Sequence, residues 1–216
     1  MTHPPTSRLR DIWLELCRSL GIASERHLAW WEDLVERHAE PQRHYHTLSH
    51  VEAILTTLQR HESSLRSPAL VYVAGFFHDA VYNPRAGDNE QRSADLAANF
   101  LNEAGIEESF VSSVRNLILA TAGHMDGLPT GDACWFLDAD LTILGADPAA
   151  YDEYASAIRR EYDFVPETEY RTGRSSVLRE FLAAPEIYRT AAIKEQLEDQ
   201  ARSNLARELA SLASAD

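Results

Sequence analysis

Apolar side chains recur at three- and four-residue spacing along almost the whole chain, and this spacing is the repeat of an amphipathic helix. No alternating run or hairpin signal predicts a strand; the short apolar runs at 70–77 and 135–137 are the only candidates. The pattern therefore predicts an all-α fold, a compact multi-helix bundle. The helical repeat is clearest in residues 9–20, 30–38, 47–58, 94–101, 106–118 and 191–212.

Dipeptides and paired polar residues mark where several helices begin. Ser67-Pro68 and Asp147-Pro148 each combine a capping residue with proline at the first helical position. Asp88 and Gln91 have the spacing of a capping box. Glycine and proline interrupt the helical pattern at 81–89 and 122–132, and both interruptions begin beside a histidine. Loops at the end of a helical core are common places for functional residues.

The length of 216 residues fits one domain. We expect a single helical domain over residues 1–216, with a core at about 41–145 and a helical extension at 146–216. Hydrophobic residues are 44% of the chain and charged residues 25%, which is ordinary for a globular protein and excludes a disordered one.

Charge narrows the classes of partner. The chain carries 20 Lys and Arg against 34 Asp and Glu, for a formal net charge of −14. Such a surface disfavours a nucleic-acid polymer or an anionic membrane as a partner. The first ten residues lack the apolar segment of a signal peptide, and Cys17 and Cys134 do not suggest a disulfide framework. We therefore expect a cytoplasmic protein, and a homo-oligomer is left open.

Histidines and a carboxylate in apolar surroundings are the candidate chemistry. His46 and His50 are four residues apart, so on a helix they would share one face. His78 and Asp79 end the most apolar helix of the chain. A buried carboxylate needs a charged partner or a metal, and imidazole with carboxylate suits Zn, Fe, Mn, Co or Ni better than Ca. A structural role for His46 and His50 is an equal alternative.

A second acidic segment offers a further ligand. On a helical wheel for residues 134–144, Asp140 falls near the middle of the apolar stripe and Asp138 at its edge. A carboxylate centred on a core-facing stripe favours a bound cation, so Asp140 is the favoured ligand. Asp138 is the alternative ligand, and a solvated residue or a helix cap is the other interpretation of it. His27, His38 and His61 are assigned to caps or the surface.

The order of His50, His78-Asp79 and Asp140 resembles the H…HD…D signature of the HD-domain metal-dependent phosphohydrolases. The resemblance is strongest from about residue 41 to 145. It implies that these four residues ligate one divalent ion of Mn, Co, Ni, Mg, Zn or Fe. It also implies that the catalytic residues are His46, as the donor of a proton to the leaving oxygen, and Glu90, as the group that positions water. A hydrogen-bonding role for His46 and a helix-capping role for Glu90 are alternatives.

Arg43, His124 and Arg174 are the candidate substrate-binding residues, because an anionic substrate needs a local positive site on so acidic a chain. His124 is also a candidate ligand for a weaker second metal. The expected function is hydrolysis of a phosphomonoester or phosphodiester in a small metabolite, with a nucleotide as the class that the resemblance favours, by metal-activated water. The alternatives are a diiron-type HD oxygenase and a non-catalytic metal- or nucleotide-binding regulator.

Overall fold

The structure is a computed structural model that describes residues 5–123 and 130–214. It confirms the predicted all-α fold: 76% is helical, and the described residues form ten α-helices and no strand. Three short 3-10 helices connect some of them. The α-helices are α1 (Pro5–Ser19), α2 (Ser24–His38), α3 (Leu48–Arg60), α4 (Pro68–Phe77), α5 (Asn89–Glu103), α6 (Glu108–Leu119), α7 (Asp132–Asp140), α8 (Pro148–Glu161), α9 (Glu167–Ala183) and α10 (Ala191–Ser214).

Both predicted proline starts are confirmed. Pro68 and Pro148 occupy the first turns of α4 and α8, where their missing N–H groups would have no helical partner. The side chain of Asp147 accepts hydrogen bonds of 3.1 Å from the amides of Ala149 and Ala150. These contacts satisfy two amides that the first turn leaves unpaired.

The predicted capping box at α5 does not form. The Asp88 side chain makes no capping hydrogen bond, and the Gln91 amide instead donates to Asp95 on the next turn, at 2.9 Å. The loop ahead of the helix is held by Asn89, whose side chain bonds both the amide and the carbonyl of Asn83 at 2.9 Å. The predicted start of α5 is therefore correct, but the Asp88–Gln91 capping box that predicted it is absent.

Both strand candidates are helical: residues 70–77 lie in α4 and residues 135–137 in α7. α4 is buried over most of its surface, including Val71, Val73, Phe76 and Phe77. A helix buried on all sides shows no polar face, so its sequence loses the periodicity that separates a helix from a buried strand.

The first of two hydrophobic cores is built from buried residues of all the helices from α1 to α7. Trp13 on α1 is fully buried, and its ring lies 5.1 Å from the rings of both Phe76 and Phe100. Trp31 and Leu34 of α2 are buried in the same core, which therefore includes helices ahead of residue 41.

The second core lies between α8, α9, α10 and the 3-10 helix Leu141–Gly145. Tyr151, Leu178 and Tyr188 are fully buried there. Ala139 packs in the first core and Leu141 in the second, so the residue between them, Asp140, lies where the two cores meet. No helix in the described part of the chain is long and apolar enough to cross a membrane.

Candidate metal centre

The C-terminal end of α4 delivers two candidate ligands to the junction of the cores. Residues 71–77 are buried on every side, so the helix axis is fixed by packing. His78 follows the last helical residue and its amide still donates to Ala74, at 2.8 Å. The carbonyl end of a helix carries partial negative charge, which favours a cation beside His78 and Asp79.

The backbone fixes which nitrogen of His78 faces the site. Nδ1 lies 3.1 Å from the carbonyl oxygen of Gly75, an acceptor, so Nδ1 carries the proton. The other nitrogen, Nε2, then presents a lone pair when the ring is neutral. This arrangement is the usual one for a histidine that binds a metal.

Ligand atoms from three helices converge on that nitrogen. His78 Nε2 lies 3.3 Å from Nε2 of His50 on α3, and 3.6 Å from Oδ1 of Asp140 at the end of α7. His50 Nε2 and Asp140 Oδ1 are 2.9 Å apart. Asp79 adds a second carboxylate, with Oδ2 at 3.0 Å from His78 Nε2 and 3.8 Å from His50 Nε2.

The spacing of these atoms fits a single metal ion. Ligand atoms that each lie about 2.1 Å from an ion are separated from one another by roughly 3–3.5 Å. His50, His78 and Asp140 form a group of this kind, with the three ligand atoms within 4.8 Å of one another. Asp79 is close enough to join it. Two imidazoles with two carboxylates suit a divalent transition metal.

Electrostatics within the cluster are strong because the groups are buried together. Burial disfavours the charged forms of His78 and Asp79, but the attraction between these two residues outweighs the effect of burial. The Asp79 carboxylate raises the pKa of His78 to about 9, and the histidines, His78 first, hold the pKa of Asp79 well below its usual range. Burial lowers the pKa of His50, although its hydrogen bond to Asp140 opposes this shift.

His46 lies beside the cluster but not on a helix with His50. α3 begins at Leu48, and Thr47 is its cap, with its side chain accepting from the amide of Ser49 at 3.4 Å. His46 therefore belongs to the segment before the helix, and the predicted shared helical face is wrong. Its Nε2 is 4.0 Å from Oδ2 of Asp79.

A residue that the sequence analysis did not single out, Glu161 at the end of α8, organises this segment. Its Oε1 accepts from the amides of residues 44, 45 and 46 at 2.7, 2.7 and 3.1 Å. Its Oε2 accepts from His46 Nδ1 at 2.6 Å and from the Tyr82 hydroxyl at 2.7 Å. Burial opposes ionisation, but these donors, His46 first, lower the pKa of Glu161 to about 2. No motif or spacing in the sequence connects Glu161 with residues more than a hundred positions earlier.

Arg43 is enclosed and does not reach the cavity. Its guanidinium donates to the backbone oxygens of His46 at 3.0 Å, Asp79 at 2.7 Å and Ala80 at 3.2 Å, and to the Glu40 carboxylate at 3.1 Å. Its side chain is completely buried. The predicted contact between Arg43 and a substrate is therefore not supported. Arg43 instead fixes the backbone on both sides of the cluster.

Two of the remaining predicted residues, Glu90 and Arg174, line a cavity of about 840 Å³ that also contains the cluster residues His50, His78 and Asp140 in its wall. Glu90 on α5 lines it, near Tyr162, whose pKa is raised chiefly by burial, then by the charge of Glu161 and to a smaller extent by that of Glu90. Arg174 on α9 also lines it, but its guanidinium pairs with both carboxylate oxygens of Glu208, at 2.8 and 3.0 Å. His124 lies outside the described residues.

Asp138 and Asp140 have separate environments. Asp138 is fully buried, although the helical wheel put it at the edge of the stripe. Its carboxylate accepts from the amides of Arg189 and Thr190, at distances of 2.7–3.0 Å, and from the Thr190 hydroxyl at 2.7 Å. These two residues come just before α10, so Asp138 satisfies backbone amides at the N-terminal end of that helix. A helical wheel could not include Arg189 and Thr190, which bond this carboxylate from about fifty positions later in the chain.

His38, which was assigned to a cap or the surface, is buried at 3% exposure. Its Nδ1 bonds the Leu34 carbonyl at 2.9 Å, and burial lowers the pKa of the ring to about 4. It is therefore a neutral core histidine at physiological pH.

No protein-family profile matches the chain, and neither the curated proteins nor the solved structures include a match.

Proposed function

We propose that the protein is a metal-dependent hydrolase of phosphate esters. The observation that carries this proposal is the convergence of His50, His78 and Asp140, with Asp79 beside them, at one end of a cavity of substrate size. His50 and His78 would supply the nitrogen ligands, and the two aspartates the oxygen ligands. A divalent ion held there would supply Lewis-acid chemistry, polarising a phosphoryl oxygen and lowering the pKa of water.

His46 is the proposed proton donor to the leaving oxygen. Its ring is 20% exposed at the cavity, its Nε2 lies 4.0 Å from Asp79, and its Nδ1 is held by Glu161. The charges of Asp79 and Glu161 outweigh burial and raise the pKa of His46 above its usual value. A raised pKa keeps a larger fraction of the ring protonated near neutral pH, as a general acid requires.

The cavity favours a substrate with little negative charge and an apolar or aromatic leaving group. Among its described lining residues Arg174 is the sole arginine or lysine, and its charge is already paired with Glu208. Four carboxylates line the same space: Asp79, Glu90, Asp140 and Glu169. Each additional phosphate would meet repulsion from them without a compensating cation.

Aromatic rings also line the cavity. Tyr45 and Tyr154 line the cavity with their ring centroids 4.7 Å apart, and Ile143, Ile158 and Phe181 extend this surface. Rings of this kind bind a base or an aryl group. A phosphate monoester, such as a nucleoside monophosphate, therefore fits the cavity better than a di- or triphosphate.

The test is a phosphatase screen of the full chain, stripped of metal and reloaded with Mn, Co, Ni, Mg, Zn or Fe(II). We expect release of phosphate from nucleoside monophosphates and aryl phosphates, and slower release from the corresponding triphosphates. Asp140→Asn should abolish turnover, whereas Asp152→Asn, which alters an exposed carboxylate paired with Arg207, should not.

Two results would contradict the proposal. Oxygen consumption by the iron-loaded protein without phosphate release would favour the oxygenase alternative. Tight binding of metal with no turnover of any ester in the screen would favour a regulator.

His46→Gln tests the proposed proton donor. General acid catalysis typically contributes about 10²–10⁴-fold, so kcat should fall by that order on an alkyl phosphate. The fall should be much smaller on an aryl phosphate, whose leaving group needs little protonation. Metal content measured on the same samples should be unchanged. An equal loss on both esters would indicate that His46 binds phosphate rather than donating a proton.

A further inference from the structure

We propose that Glu161 is a positioning residue that holds His46 in one tautomer, with Nδ1 protonated and Nε2 directed at the metal cluster. The functional meaning of this orientation rests on the proposed hydrolase, but the orientation itself is a property of the folded chain. It can therefore be tested apart from activity.

The first step is the identity of the acceptor. Glu161 is 2% exposed, and its carboxylate remains ionised because its pKa is lowered to about 2. An ionised carboxylate has no proton to donate, so a nitrogen 2.6 Å from Oε2 must carry the hydrogen. His46 Nδ1 is that nitrogen. Nε2 is left on the opposite side of the ring, facing Asp79 at 4.0 Å.

The second step is the fixed position of the acceptor. Oε1 is occupied by the amides of residues 44, 45 and 46, so Glu161 holds the backbone of His46 as well as its ring. Oε2 also accepts from the Tyr82 hydroxyl, and the Tyr82 ring stacks on the His46 ring with centroids 4.4 Å apart. Neither the carboxylate nor the imidazole can turn without breaking several of these contacts.

The third step is the origin of this residue in the chain. Glu161 is the last residue of α8. Two other residues of this helix, Tyr151 and Ile158, are also buried. Arg43 holds the same segment from the other side, through the His46 carbonyl. The helical extension therefore contributes a buried charge to the site. The backbone of residues 44–46 is bonded by that charge, and Arg43 bonds the same segment at the His46 carbonyl.

The decisive variant is Glu161→Gln. The Gln side chain keeps one acceptor oxygen but presents an NH2 group to donors on the other side. Whichever way the amide turns, it cannot accept from both the backbone amides and His46. Tyr82→Phe removes one donor to Glu161 and leaves the His46 contact intact. Glu167→Gln, at an exposed glutamate on α9, is the matched control.

The experiment is nitrogen-15 NMR of the histidine rings in the full chain loaded with diamagnetic Zn²⁺, at alkaline pH where the rings are neutral. His46→Gln assigns the His46 signals. We expect wild type, Tyr82→Phe and Glu167→Gln to show Nδ1 protonated and Nε2 unprotonated, and Glu161→Gln to shift the ring toward the other tautomer. Protonated Nε2 in the wild type would overturn the proposal even if Glu161→Gln fails to fold. A folded Glu161→Gln with an unchanged ring would also overturn it.

Kinetics then separate positioning from a merely structural effect. Residues that orient catalytic groups typically change activity by about 10–100-fold. We expect Glu161→Gln to lower kcat by that factor on an alkyl phosphate, with little change in KM and a smaller loss on an aryl phosphate. An equal loss on both esters would overturn the positioning role. If the wild type hydrolyses no ester, the proposed function fails while the NMR result still decides the tautomer.

Discussion

Three buried or half-buried carboxylates have three different roles, and their partners distinguish them. Asp138 caps the approach to α10 and Glu161 accepts from His46 and three amides. Asp140 lies against the Nε2 atoms of His50 and His78. A carboxylate that accepts from backbone amides has its oxygens occupied by fixed donors. A carboxylate that faces imidazole nitrogens can bind a metal ion together with them.

Asp138→Asn and Asp140→Asn should therefore separate stability from metal binding. Asp138→Asn loses charge-assisted bonds to buried donors, and removal of such a partner costs about 1–3 kcal/mol of unfolding free energy. Its metal content should be close to that of the wild type. Asp140→Asn should lose most of its metal, because it removes a carboxylate that faces the Nε2 atoms of His50 and His78. Chemical denaturation and elemental analysis of both variants give the answer, and the reverse ranking would make Asp138 the ligand.

Metal binding should release a proton from His78. The pKa of His78 in the metal-free protein is raised to about 9, so its ring is charged near neutral pH and must become neutral to bind an ion. The ion pair with Asp79 stabilises the metal-free fold fully below the ordinary histidine pKa of 6.5, and this contribution is lost as the pH rises through 9. Metal affinity should rise over the same interval.

Calorimetry in buffers of different ionisation enthalpy measures this release directly. At neutral pH we expect roughly one proton per ion in the wild type, since His50 is already neutral and Asp79 already ionised. Affinity that falls between pH 6.5 and 9 would contradict the assignment of His78 as a ligand.

The helices could be predicted from the sequence because each depends on neighbours three and four residues away. α3, α4, α8 and α10 were all expected, with both proline starts, since spacing and caps are local signals. His46 was expected to share a helical face with His50. It lies two residues before the first residue of α3, Leu48, because Thr47 is the N-cap of that helix. That boundary depends on a hydrogen bond of one side chain, which periodicity does not record.

We expect a glycine to be needed at position 145 for α10 to pack closely on the 3-10 helix Leu141–Gly145. A Cβ added at Gly145 would lie 2.6 Å from the Cβ of Leu197 and 2.8 Å from its carbonyl oxygen, so the backbone of α10 would have to move. Overpacking of this kind typically costs about 1–3 kcal/mol. Gly145→Ala should lower the denaturation midpoint accordingly.

Gly173→Ala is the control, because this glycine lies inside α9 and an added Cβ would meet no atom within 4 Å beyond its chain neighbours and the backbone of its own helix. Alanine in an exposed helix interior is favoured by about 1 kcal/mol over glycine, so this variant should be neutral or more stable. A Gly145→Ala midpoint equal to that of the wild type would show that α10 does not pack against the 3-10 helix as described.

At the scale of the whole molecule, the candidate site is a junction between two hydrophobic cores. The sequence identified His50, His78 and Asp140 because each stands out locally, as a histidine or a carboxylate in an apolar segment. It could not identify Glu161, nor the pairing of Arg174 with Glu208, because these contacts join residues 34 to 117 positions apart. Such contacts are set by the packing of α8–α10, and no pattern within a single helix contains them.

The chain has a formal net charge of −14, so an anionic substrate would need a local positive charge in order to bind. Arg43 is enclosed by backbone carbonyls and Arg174 is paired, so neither offers its charge to an anion in the described cavity. A bound divalent cation would then be the main attraction for a phosphate. Removal of metal should therefore abolish binding of an aryl phosphonate, a non-hydrolysable analogue, in addition to turnover.

The metal content of the purified full chain tests the central claim most directly. After incubation with Mn, Co, Ni, Zn or Fe(II) and dialysis, elemental analysis should find about one ion per chain, the number that a single His₂-carboxylate site holds. His78→Ala should lose most of this metal while keeping its helical circular dichroism, and His61→Ala, which removes an imidazole stacked on Trp135, should keep it. Wild-type protein that retains no ion, or a folded His78→Ala variant with wild-type stoichiometry, would contradict the assignment of His50, His78 and Asp140 as a metal centre.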